Sequence, residues 1–381
     1  MLPAPLPIPC FIVAIALLVS FFAVRRLCRL PRLPITRFRR VTERVLLSLV
    51  TLVALAAAAS TTFNVAAHDV FLAHHPAPGQ IYVVNAYKMH LWCMGQGSPA
   101  IVLESGLGFD SLVWGTVQPE LSKTTRVCSY DRAGTGWSES QPGARDSDHI
   151  VEQLHGLLQQ AGITGPIVLM GHSIAGIHMR AYVTRYPENV KGIVFVDGST
   201  PLQQERGSPE LRAAMSSTPW SEFALYAVAV NLGVLRMMGM FSHPSSKPGW
   251  GVGSLQTEDE WSAPVMTDLR EVLSFLQDGR ETIHTGPYGD LPILIFSQDS
   301  HSTEHDANLS PKLTAELSSA WDQMQEDLKK LSTRSRRIIA KGSGHFIQLN
   351  RTDLVLKEVP LFIEQVRGNA PPPKYGTTTT E

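Results

Sequence analysis

IVLMGHSIAGIHMRAY, residues 167–182, is the stretch whose reading decides the fold. An apolar run, Ile167–Met170, leads into Gly171-His172-Ser173-Ile174-Ala175-Gly176 and then into a helix-compatible stretch. The order strand, tight turn, helix places a serine at the turn, and the pattern is Gly-x-Ser-x-Gly with Ala175 in the fifth place. Small residues at 171 and 175 allow strand and helix to approach closely around a strained serine. Such a turn exposes the Ser173 hydroxyl above the sheet edge, and the Ile174 N–H at the helix N-terminus faces any negative charge developing there. Ser173 is therefore the candidate nucleophile; the alternative is a helix N-cap in a non-catalytic α/β protein.

Working outward, Ile81–Asn85, Met89–Met94, Ala100–Glu104, Arg126–Tyr130, Gly192–Val196, Ile293–Ser297 and Arg337–Ala340 are further β-rich runs. Most are separated by helix-compatible stretches such as Ser147–Ala161, so the fold class is α/β, with a mainly parallel eight-stranded sheet covered on both faces. The expected core is 80–199 with 289–368. Between Asp197 and Pro292 no convincing strand occurs, while Pro209–Ser216, Trp220–Met240 and Glu258–Asp278 suit helices. This predicts a helical cap over residues 200–288 at the carboxyl edge of the sheet, where open α/β proteins bind ligands. Met and aromatic side chains adapt to varied ligands. Trp220, Phe223, Leu235 and Met238 in the cap, with Phe109, are accordingly candidate pocket residues; the plainer reading makes the cap residues its own packing core, and a third has the cap touching a bilayer.

A serine nucleophile needs a base, and His345 stands in Gly-Ser-Gly-His-Phe just beyond the last core strand. The acid that orients it is expected at Asp299, after the Ile293–Ser297 strand, with Asp197 after Val196 as the serious alternative and Glu304 and Asp306 as weaker ones. Ser105-Gly106-Leu107-Gly108 follows another strand and brings main chain near a ligand, so the Leu107 N–H is the expected second oxyanion donor beside Ile174. Asp131 and Arg132 in YDRAGTGWS, residues 130–138, read as braces for a Gly-containing loop.

The N-terminus has a different character. Residues 1–24 carry no charge, 25–44 hold eight arginines against Glu43, and 45–67 are again uncharged. Spans at 6–24 and 45–67 joined by an Arg-rich loop form an expected membrane hairpin within residues 1–67, followed by a linker at 68–79. Arginine on a short loop favours the cytoplasm, which places the large domain on the non-cytoplasmic side of the membrane. A cleaved targeting segment is one alternative and a buried soluble hairpin is another. Residues 369–381, rich in Pro and Thr, are expected to be a disordered tail. Net charge −1 with 44% hydrophobic residues points away from nucleic acid and toward small or apolar partners. Cys93 and Cys128 become neighbours if their strands pair.

Three segments together, LESGLG at 103–108, YDRAGTGWS at 130–138 and GHSIAG at 171–176, closely resemble the α/β-hydrolase superfamily, in its cap-bearing serine hydrolase branch. The resemblance covers about residues 80–368 and implies Ser173 as nucleophile, Asp299 as acid, His345 as base, and Leu107 and Ile174 as oxyanion donors. It implies hydrolysis of a carboxylic ester, apolar or lipid-like, with no metal and no organic cofactor. An amidase or peptidase with the same residues, and a non-catalytic membrane-anchored binding or scaffold protein, are the alternatives. Ala175 departs from the usual Gly, and Ser105-Gly106 stands where many relatives have His-Gly.

Overall fold

The computed structural model describes residues 8–74, 76–201, 203–216, 225, 228–238, 270–272, 274–275, 278–279, 282–300 and 309–381. They fall into two compact units.

Among the described residues, the first unit contains two long helices, α1 (Ile8–Arg29) and α2 (Arg37–His74), and the short helix Val234–Met237. Only residues 33–36 separate α2 from the short 3-10 turn after α1, so most of the expected 25–44 loop is helical, and α2 runs on through much of the expected 68–79 linker. Arginine is a good helix former, and Glu43 ties this end together by accepting from Arg26 and Arg39, each at 2.9 Å. Both helices are long and apolar enough to cross a membrane, and Phe11, Leu17, Phe21, Leu49 and Leu52 face outward. Two of the polar residues that interrupt the apolar run of α2 have partners in residues 228–238. Asn64 donates to the Val230 carbonyl at 3.0 Å and accepts from Arg236 at 2.9 Å, and Ser60 donates to the Leu232 carbonyl.

The second unit is built on one sheet: β1 (Gln80–Val84), β2 (Tyr87–Met94), β3 (Ala100–Glu104), β4 (Val127–Tyr130), β5 (Ile167–His172), β6 (Val190–Val196), β7 (Ile293–Gln298), β8 (Ser335–Ala340) and β9 (Thr378–Thr380). Their spatial order is β1-β2-β4-β3-β5-β6-β7-β8-β9. The β1–β2 and β2–β4 pairs are antiparallel and the others parallel. Every residue of β3 and β5 is buried, as strands covered on both faces require. On one face, Val151, Leu154 and Leu157 of α3 (Ser147–Gln160) pack into the core, a 3–4-residue spacing that makes one helical stripe. Later in the chain, Leu354, Val355, Val359 and Phe362 of a C-terminal helix (Thr352–Arg367) do the same in a second cluster. Cys93 lies directly opposite Cys128 across β2 and β4, and the two form a disulfide.

The sheet has nine strands rather than the expected eight, because the tail expected to be disordered supplies β9. Its threonines pair with the open edge of β8 from Arg337 to Ile339, and the Glu381 carbonyl accepts from Lys341 N at 2.7 Å.

At the end of β5 the chain turns into α4 (Ala175–Arg185), and the fit there is tight. A Cβ on Gly171 would stand 2.7 Å from the Ala175 Cβ, and one on Gly176 would stand 2.6 Å from the Ser199 carbonyl oxygen. Because the second obstacle is backbone, Gly176→Ala is expected to cost about 1–3 kcal/mol through displaced main chain. Chemical denaturation checks this: the midpoint falls in the variant, and an unchanged midpoint contradicts the packing described.

Candidate active site

Ser173 is the first residue after β5 and has φ +56°, a left-handed conformation that costs a non-glycine residue about 1–2 kcal/mol. Surrounding backbone holds it there. Its N–H donates to the Val196 carbonyl at 3.3 Å, and its own carbonyl accepts from Gly176 N at 2.9 Å and Ser199 N at 2.7 Å. The Ile174 and Leu107 amides donate to no protein acceptor among the described residues.

The partner of His345 is Asp197. Its Oδ2 lies 2.6 Å from the imidazole Nδ1, which fixes the tautomer with the proton on Nδ1 and the lone pair on Nε2. Asp197 is the residue after Val196, the acceptor of the Ser173 N–H, so Ser173 and Asp197 leave adjacent strand ends. It too is left-handed, φ +49°, and fully buried. Its other oxygen, Oδ1, accepts from Gln298 N at 3.0 Å and from the Trp321 indole at 2.9 Å. Asp299, the expected acid, is placed differently: its Oδ2 accepts from Gly342 N at 2.9 Å, and its N–H donates to the Ser343 carbonyl. It braces the base of the loop that carries His345, whereas the left-handed turn after β6 aims Asp197 at the ring itself.

His172 also fixes that loop. It is buried, and its Nε2 lies 3.0 Å from the His345 carbonyl oxygen, to which it must donate. Burial, then the neighbouring His345, pushes its pKa well down, so it is a neutral ring with one set tautomer. Phe346 packs on this ring and edge-on to Phe109, with centroids 5.1 and 5.2 Å apart. Trp321 stands edge-on to His345 at 5.6 Å. Trp321 and the role of His172 were not foreseen; the position of His172 beside the serine was the only signal available in the sequence.

Gly106 lies against Ser173: a Cβ there would be 2.7 Å from His172 Nδ1 and 3.3 Å from Ser173 Cβ. Behind the loop, the buried Arg132 donates to the Ser105 carbonyl at 2.5 Å and the Gly106 carbonyl at 3.0 Å. Its other edge grips both oxygens of Glu271 at 3.0 Å. Asp131 accepts from Ser111 N at 2.7 Å and Trp137 N at 2.9 Å, so it and Arg132 are braces, as expected. Met238 belongs to the first unit and is exposed. Trp220, Phe223, Glu304, Asp306 and the Leu235 side chain lie outside the described residues.

Residues 99–238 match the family model described as the alpha/beta hydrolase fold. An AB hydrolase superfamily protein of Gibberella zeae is 25% identical, covering 71% of this chain and 87% of that protein. An uncharacterised protein of Schizosaccharomyces pombe is 26% identical over 321 residues, 74% of this chain and 55% of that one. The chain spans about half the length of the first curated relatives it matches. Among solved structures, a thermophilic esterase from Thermogutta terrifontis superposes with a TM-score of 0.51 at 18% identity, over 75% of this chain and 98% of that one. These findings, with the sheet order and the serine turn, show the α/β-hydrolase fold, with the insertion between β6 and β7 in the cap position.

Two predictions follow from this geometry. Asp197→Asn is expected to lower kcat by about 10³–10⁴-fold by disturbing the imidazole tautomer, while Asp299→Asn stays within about tenfold. Steady-state ester hydrolysis by the two variants decides between them, and the reverse ranking would restore Asp299 as the acid. Asp110, beside this loop, is pushed up to about 8 by burial and then by the charge of Asp131. Folded Asp110 therefore keeps its proton up to that pH while the unfolded chain ionises near 4, so its contribution to stability declines as pH rises from about 4 to 8. Asp110→Asn should gain stability relative to the native chain between pH 5 and pH 8, by at most about 1.4 kcal/mol per pH unit. Denaturation midpoints whose difference is the same at both pH values would contradict this.

Proposed function

We propose that the protein is a serine hydrolase that cleaves a carboxylic ester of an apolar or lipid-like compound through an acyl-enzyme. The observation that carries this is the left-handed Ser173 at the strand-to-helix turn together with the 2.6 Å His345–Asp197 contact. His345 Nε2 takes the Ser173 proton as Oγ attacks the ester carbonyl, and Asp197 stabilises the imidazolium that forms. The Leu107 and Ile174 amides receive the negative charge on the former carbonyl oxygen. The imidazolium then protonates the departing alcohol, and water, deprotonated by the same ring, releases the acid from Ser173.

In this reading α1 and α2 cross a membrane, the Arg-rich turn between them lies in the cytoplasm, and the sheet unit lies outside it. The Cys93–Cys128 disulfide supports an oxidising surrounding for that unit. Support for a lipid-like substrate comes from residues 225–238, where Leu225, Met237 and Met238 are 69%, 61% and 69% exposed on a segment joined to α2. Apolar side chains left in water beside an apolar helix are suited to contact with lipid.

Treatment of the purified protein with a fluorophosphonate tests the proposal. One phosphonyl group per chain, absent in Ser173→Ala, is expected, together with faster turnover of acyl esters than of matched amides. A folded protein that takes up no label supports a non-catalytic binding or scaffold role instead, and a preference for amides supports an amidase.

A further inference from the structure

Arg132 is better placed than a simple loop brace requires. Its guanidinium is buried and divides its donors between two tasks. One edge, Nε and one terminal nitrogen, holds the Glu271 carboxylate in a two-point grip at 3.0 Å on each oxygen. The other edge donates to two successive carbonyls, Ser105 and Gly106, at 2.5 and 3.0 Å. The Gly106 carbonyl belongs to the same peptide unit as the Leu107 N–H. In a trans peptide those two groups point in opposite directions, so holding the carbonyl on one side sets the direction of the amide on the other. The loop is also pressed against the nucleophile, since a Gly106 Cβ would come within 3.3 Å of Ser173 Cβ.

We infer that Arg132 is a positioning residue for the oxyanion hole: by fixing the Gly106 carbonyl it aims the Leu107 N–H at the oxygen of the tetrahedral intermediate, and Glu271 holds Arg132 in that pose. This deepens the hydrolase reading and rests on it. Glu271 lies in the insertion between β6 and β7, on helical chain, and is itself buried. It is shared with Arg145, whose Nη2 stands 3.2 Å from its Oε1 and whose Nη1 donates to Gln153 at 2.9 Å. Gln153 in turn donates to Gln141 at 2.9 Å. The insertion therefore enters the site through a carboxylate, and correct seating of Glu271 is coupled to correct aim of one amide.

Lysine cannot reproduce this arrangement, because a single ammonium cannot grip a carboxylate at two points and hold two carbonyls together. Removing Arg132 alone leaves Glu271 with less compensation, which endangers folding. Two variants of the full chain separate these effects: Arg132→Lys, which keeps the charge, and Arg132→Met combined with Glu271→Gln, which removes both charges. For each, folding is checked by circular dichroism, and kcat, KM and affinity for a trifluoromethyl ketone, a tetrahedral oxyanion mimic, are measured. The expected result is a kcat about 10–100-fold lower with KM within about threefold, and ketone affinity falling in step with kcat/KM. Folded variants that keep kcat within twofold, or that lose ester turnover while binding the ketone normally, would overturn the assignment. A native chain that neither turns over esters nor binds the ketone would remove the hydrolase reading itself, a separate outcome from intact native activity with unaffected variants.

Discussion

The left-handed backbone at Ser173 is the constraint around which the second unit is arranged. A serine with φ +56° is unfavourable by itself and persists only where its neighbours over-determine it. Here three main-chain bonds do so, from Val196, Gly176 and Ser199. Each imposes a condition elsewhere. The Ser199 bond brings the exit of β6 against α4, which leaves no room for a side chain at 176. The Val196 bond brings the ends of β5 and β6 together, so the residue that follows Val196 leaves the strand end beside the Ser173 turn. That residue is Asp197, and its own left-handed turn directs the carboxylate at His345.

Around this turn, buried charge is balanced by contacts rather than diluted by solvent. Asp197 has three hydrogen-bond partners, from the His345 ring, Gln298 N and the Trp321 indole. Arg132 and Arg145 share Glu271, and all three side chains are buried. Such networks are rigid when fully paired and costly when broken, which suits groups whose task is to hold a geometry. In the other unit the same logic applies to α2: Asn64, a polar interruption of an apolar helix, is buried and bonded to Val230 and Arg236.

Much of this was legible because it is local. The strand-turn-helix around Ser173, the Gly-rich loop at 105–108 and the alternation of strands with helices are short-range patterns, and His345 follows a strand in a flexible loop. The carboxylate that meets His345 was less legible because Asp197 and Asp299 both follow parallel strands, and neither spacing nor composition separates them. What separates them is three-dimensional: the positive φ at 197 and the Trp321 indole, supplied from a helix 124 residues further along. The tail misled for a related reason. Proline and threonine composition suggests disorder, but residues 378–380 pair through main-chain groups with an edge whose availability depends on the rest of the sheet. The two N-terminal helices follow the apolar content and run on into the arginine-rich stretch, because arginines that mark a polar turn also sustain a helix.

The most direct measurement is a crystal structure of the protein after reaction with a phosphonate ester inhibitor. The account predicts phosphorus bonded to Ser173 Oγ, the phosphoryl oxygen within about 2.7–3.1 Å of the Leu107 and Ile174 amide nitrogens, and the His345 ring still bonded to Asp197. Phosphorus on another residue, or an imidazole held by a different carboxylate, would contradict it.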